Sequence, residues 1–167
     1  VDALVNLRNV RAYADKVWDA VDRARPVWQD YLDSIEGEVR VVRMHQNVWW
    51  SRAANAGVKA ADPNAKYYIF LDHDVVILNP AWIDLLVSVS DQQESGLVGV
   101  DMAKYRISNQ DVQFITEWCC LLTAECYRDC GPWCEELPQI GAPFMMTYAA
   151  NQRGFRPQVV RRSEEHT

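Results

Sequence analysis

The feature that most constrains this chain is a short, unbroken apolar run that ends abruptly in acid. Lys66-Tyr67-Tyr68-Ile69-Phe70-Leu71 is followed at once by Asp72-His73-Asp74. Six residues rich in aromatic and β-branched types form a strand, and the absence of polar alternation predicts a central parallel strand covered on both faces. Ligands of open α/β sheets bind beyond the carboxyl ends of the strands, which is where this acidic turn falls. Side chains two apart in extended chain face the same way, so Asp72 and Asp74 are expected to address one ion, with His73 turned aside. Two hard oxygen donors suit Mg²⁺ or Mn²⁺. The bland alternative is that both aspartates merely shape a turn, a common use of the residue.

The flanking pattern supports an α/β fold. Helices are expected over residues 10–24, 49–61, 81–90, 124–130 and 141–152, and strands over 39–44, 66–71, 96–100, 114–123 and 159–160. Trp82, Leu85, Leu86 and Val89 fall on the inward stripe of their helix. Alternating strands and helices predict a mostly parallel sheet flanked by helices. No repeat, low-complexity block or long linker interrupts the chain, so residues 1–167 read as a single domain.

Composition narrows the classes. Apolar residues at 49% and charged residues at 24% describe an ordinary globular protein rather than a disordered one. A formal charge of −6 argues against gripping nucleic acid through its phosphates, but a divalent cation would let an acidic protein hold an anionic nucleotide. No apolar stretch approaches the roughly 20 residues that span a bilayer. The expected location is cytoplasmic, either free or peripheral to a membrane. All five cysteines lie between Cys119 and Cys134. They lack a C-x-x-C pair and a neighbouring histidine, so buried thiols are favoured over zinc ligands.

The stretch from Asn47 to Trp82 resembles the core of family 2 glycosyltransferases and their GT-A relatives, a Rossmann-like fold. Asn47, Arg52, Ala54, Asn55, Gly57, Asp72, Asp74 and Pro80 occur in that family's order and at fitting spacing. The resemblance implies that Asp72 and Asp74 hold the metal and a sugar-nucleotide diphosphate, with UDP- or GDP-sugars as donors and an unspecified acceptor. It implies that Asn47, Arg52 and Asn55 flank the nucleotide. Downstream, residues 118–126, Gly131–Leu137 and Gly154-Phe155 are similar to later family segments, and His166 falls where relatives complete the metal or diphosphate site.

Two positions depart from the pattern. An inverting transfer needs a general base for the acceptor hydroxyl, and the family's aspartate aligns with Ala142 or Pro143. The nearby position that relatives often fill with arginine falls on Ala149. Asp101, Glu117, Glu135 and Glu136 stand as unranked substitutes. The N-terminal part shows no clear second strand with an acidic tip, although Asp30 and Asp33 are available. The chain therefore reads as a reduced form of the fold or as part of a longer protein. Three functions follow: a metal-dependent glycosyltransferase, a catalytically lapsed nucleotide-sugar-binding or interaction module, and, more weakly, a nucleotidyltransferase, which lacks its usual glycine-rich loop here. Trp49 and Trp50 are candidates for stacking on a base or sugar, and Trp118 and Trp133 for meeting an acceptor.

Overall fold

A computed structural model describes residues 42, 44, 46, 48–72, 75–107, 110–137 and 141–160. The chain divides into two compact units, Val1–Arg43 and Met44–Thr167. Nearly all described residues belong to the second, which is the unit considered below. The expected helix at 10–24, most of the strand at 39–44, Asn47, His73, Asp74 and His166 lie outside the described residues.

The elements are α1 (Trp49–Ala60), β1 (Tyr67–Leu71), α2 (Trp82–Gln92), β2 (Leu97–Gly99), β3 (Met102–Ile107), β4 (Gln110–Ile115), β5 (Cys119–Thr123), α3 (Ala124–Cys130), α4 (Gly141–Gln152) and β6 (Gln158–Val159). Helices and strands alternate from Trp49 to Gly99, but four strands, β2 to β5, follow one another and two helices then come together. A four-stranded sheet has the order β1-β5-β2-β6, and β3 and β4 form a separate hairpin. The α/β class holds, but the pairing among the described residues is mixed rather than mostly parallel. β5 runs antiparallel to both β1 and β2, and only β2 with β6 is parallel.

Among the described residues β5, not β1, is the more deeply buried strand. Cys120, Leu121 and Leu122 are wholly inaccessible and Cys119 nearly so, whereas the residues of β1 are half-buried or, at Leu71, exposed. An apolar run shows that a strand exists but not how many layers cover it. The tyrosine-rich β1 carries hydroxyls that need polar partners, one of which reaches Asp91. The compact Cys-Cys-Leu-Leu run has no such groups and fits between two layers.

The pleat of β5 divides the core by alternation. Cys120 and Leu122 join Leu97, Cys126, Trp133, Ala142, Met146 and Ala150 on the face covered by α1, α3 and α4. Cys119 and Leu121 join Val98 and Leu86 on the face covered by α2. Of the predicted inward stripe of α2, Leu86 is fully buried and Trp82 and Val89 pack against this second cluster, but Leu85 is exposed. The helix is rotated so that Leu86 and Ser90 lie deepest. The single strand expected over 114–123 is two strands, β4 and β5, separated by a turn at Thr116–Trp118. The β3–β4 hairpin went unread, although Ser108-Asn109 supplies turn-forming residue types between two alternating runs.

The thiols behave as buried apolar groups. All five cysteines are unpaired, three are buried and two are half-buried. Among the described residues no cluster of side chains suits a metal ion, and none of the helices is long and apolar enough to cross a membrane.

Local chemistry fixes the element ends. The Thr123 hydroxyl accepts a bond from the Cys126 N–H and caps α3. Gly154, at φ +83, lets the chain leave α4 in the left-handed region. The following Phe155 then accepts a hydrogen bond from the Gly96 N–H at 2.9 Å, joining the end of α4 to the start of β2. A side chain at Gly96 would overlap the Phe155 ring and the Cys126 Cβ. Gly96→Ala is therefore expected to destabilise the fold by about 1–3 kcal/mol, measured as a lowered midpoint in urea unfolding.

Candidate functional site

The acidic turn begins where β1 ends. The Asp72 main chain is fixed on both sides: its N–H donates to the Trp118 carbonyl at 2.9 Å, and its carbonyl accepts from the Val75 N–H at 3.2 Å. The first bond extends the β1–β5 ladder by one residue, so the register Leu71↔Cys119 carries Asp72 to the rim of the sheet. Its side chain is fixed separately. The Trp50 indole Nε1–H donates to Asp72 Oδ1 at 3.0 Å, and no other partner engages this carboxylate among the described residues.

Trp50 is held in turn by aromatic packing. Its ring stands edge-on to Trp133 at 4.8 Å and tilted to Phe70 at 5.8 Å, while Phe70 and Trp133 meet edge-on at 5.2 Å. Trp133 is 2% exposed. It does not face an acceptor, as the sequence suggested, but forms the floor beneath Trp50. Trp49 is exposed, and Trp118 lies at the surface beside the turn. Trp50 lines the site as a hydrogen-bond donor to protein rather than as a free stacking face.

Asn55 explains why Trp133 sits there. Its Oδ1 accepts bonds from the Tyr127 hydroxyl at 2.8 Å and from the Trp133 N–H at 2.9 Å. Its Nδ2 donates to the Trp133 carbonyl and to Glu135 Oε1, both at 3.0 Å. An amide has two donor hydrogens and two acceptor positions, and all four are used within the protein. Asn55, expected to flank the nucleotide, clamps α1 to residues 127–135. Arg52 joins the same edge through a 3.2 Å ion pair with Glu135 Oε2, with both groups substantially solvated.

The expected base substitutes separate by position. Glu135 is engaged by both Arg52 and Asn55. Glu136 and Asp101 are exposed. Glu117 precedes Trp118, the residue bonded to the Asp72 N–H, and Glu117 and Asp72 both act electrostatically on the Cys120 thiol. That thiol is pushed well above its ordinary range, first by burial and then by neighbouring negative charge, including Cys119. Ala142 and Pro143 are buried at the start of α4, so the aligned base position faces the core.

Two openings meet at Asp72. One, of about 640 Å³, runs between α1 and β1 past Ala54, Gly57, Tyr68 and Phe70. The other, of about 440 Å³, is lined by Asp72, Val75, Val76 and Trp118. The site thus presents one oriented carboxylate at the junction of an apolar groove and a shallower, aromatic-edged opening.

Sequence comparison supplies the remaining finding. The model of the family described as glycosyl transferase family 2 matches residues 17–156. No curated protein and no solved structure gives a significant match.

Two predictions follow from the clamp. Asn55→Ala strands the buried Trp133 backbone groups and is expected to cost at least about 1–3 kcal/mol in chemical denaturation; a residue serving only a ligand would leave stability unchanged. The Tyr127 hydroxyl is pushed up to about 12, mainly by burial and then by Tyr68 and Glu135. Because the folded state holds this proton more tightly, its contribution is intact below the ordinary value of 10.0 and is lost as pH rises toward 12. Ultraviolet titration of the phenols against a Tyr127→Phe variant checks this.

Proposed function

The chain belongs to glycosyl transferase family 2, and from that premise we propose that it is a metal-dependent glycosyltransferase that takes its sugar from a nucleotide-diphosphate donor, UDP- or GDP-linked. The observation that carries this reading is the Asp72 carboxylate, held at the C-terminal end of β1 by Trp50 and otherwise without a protein partner among the described residues. A carboxylate with one oxygen tied to protein and one without a protein partner fits the donor set of Mn²⁺ or Mg²⁺. Asp72 and Asp74 would hold the ion, with His166 as a further ligand. Bound there, the ion supplies Lewis-acid stabilisation of the leaving diphosphate.

The chain's own groups account for the remaining roles. Arg52 and Asn47 are assigned to the nucleotide by their places in the family's order of residues, and Asn55 shapes the wall of the groove by holding Trp133. The opening edged by Val75, Val76 and Trp118 receives the acceptor, whose ring packs against the tryptophan. Glu117 is the base assigned to the acceptor hydroxyl, because of the four substitutes it stands next to the residue bonded to Asp72. The acceptor oxygen bonds to the anomeric carbon, the bond to the diphosphate breaks, and the hydroxyl proton passes to the Glu117 carboxylate.

A second reading, a lapsed donor-binding module, draws on the burial of Ala142 and Pro143 where relatives carry the base. Calorimetry with Mn²⁺ and UDP or GDP tests the shared premise. Asp72→Asn and Asp74→Asn are each expected to abolish metal-dependent nucleotide binding, and unchanged binding in both would remove the site. Donor turnover with a panel of nucleotide sugars then separates the readings. Glu117→Gln is expected to retain donor binding and lose transfer, whereas a lapsed module shows no metal-dependent turnover even in the wild type.

A further inference from the structure

We propose that Trp50 is the positioning residue of the acidic turn: its indole N–H fixes one carboxylate oxygen of Asp72 and leaves the other as the donor to a divalent cation. This rests on the metal-binding reading of Asp72 given above. The main chain of Asp72 is already held by Trp118 and Val75, so what remains free is rotation of its side chain. The 3.0 Å bond from Trp50 removes that freedom.

The donor is itself immobilised. Trp50 sits between Phe70, on the same strand as the turn, and Trp133. Trp133 is buried and is held through both its N–H and its carbonyl by Asn55. A continuous line of packed or bonded groups therefore runs from Asn55 through Trp133 and Trp50 to Asp72.

The backbone entering α1 adds a second observation. Trp49 has φ 64, a left-handed conformation that is unfavourable for a bulky side chain. Such strain persists where surrounding contacts over-determine the geometry. Here the strained residue opens α1 and immediately precedes Trp50, which is half-buried and borders the open groove.

Groups that orient a metal ligand typically change metal affinity by about 10–100-fold when removed. Trp50→Phe keeps an aromatic ring and deletes the donor. Titration calorimetry with MnCl₂ alone is expected to show affinity at least about tenfold weaker than wild type, with an unfolding midpoint that shows the variant folded. In the Asp72→Ala background, Trp50→Phe is expected to have no further effect on Mn²⁺, since the bond it removes is already gone.

A measurement on the unaltered chain covers the case in which Trp50→Phe fails to fold. Saturating Mg²⁺ is expected to shift the ¹⁵N–¹H resonance of the Trp50 indole, with the same midpoint as Mg²⁺ binding, and Asp72→Ala should abolish the shift. If the wild type binds Mn²⁺ and Asp72→Ala does not, but Trp50→Phe binds as wild type does, the positioning role is overturned and the metal site stands. An indole resonance indifferent to Mg²⁺ has the same meaning. If the wild type binds neither ion, both the metal site and the role of Trp50 fall.

Discussion

The amide of Asn55 is the constraint on which the rest of the site depends. Buried backbone groups must be paired, and among the described residues the Trp133 N–H and carbonyl join no backbone ladder. Asn55 provides both partners from the adjacent helix and takes the Tyr127 hydroxyl and Glu135 as well. This lets an irregular segment after α3 enter the core with a tryptophan side chain, where a loop would normally stay at the surface. Trp133 then supports Trp50, and Trp50 meets Asp72. A polar side chain has thereby become part of the scaffold beneath Trp50.

The sheet supplies the other half of the construction. β5 lies between β1 and β2, and its pleat feeds two separate apolar clusters, one under each helical layer. Its antiparallel register with β1 continues one bond beyond the strand, from the Asp72 N–H to the Trp118 carbonyl. Asp72, Trp118 and Glu117 are brought to one rim by that pairing although more than forty residues separate Asp72 from the other two in the chain.

Much of the architecture was legible in the sequence because it follows from local patterns. The helix beginning at Trp49, the strand ending at Leu71, the short helix over 124–130 and the helix over 141–152 are set by side-chain period and backbone preference within a few residues. The errors share a cause. Apolar content does not report neighbours, so it does not foretell that β5 is more deeply buried than β1 among the described residues. Periodicity does not show where a ladder stops, so it does not separate the β3–β4 hairpin from β5. Leu85 was assigned to the core because a helical stripe defines a face only to within about one residue of rotation.

The candidate site divides the same way. The sequence alone determined that an acidic turn closes an apolar strand, that an Asn47–Gly57 segment precedes it, and that no acidic residue occupies positions 142 and 143. These are facts of order and spacing. Only the tertiary structure decided that Asn55 spends its bonding capacity on the protein, that Trp133 is buried, that Glu135 is paired with Arg52, and that the Trp50 indole donates to Asp72. Each of these depends on contacts between residues more than twenty positions apart. The physical reason is that a polar side chain carries the same donors and acceptors whether it serves a ligand or the fold. What it is used for depends on which groups packing places within about 3 Å of it.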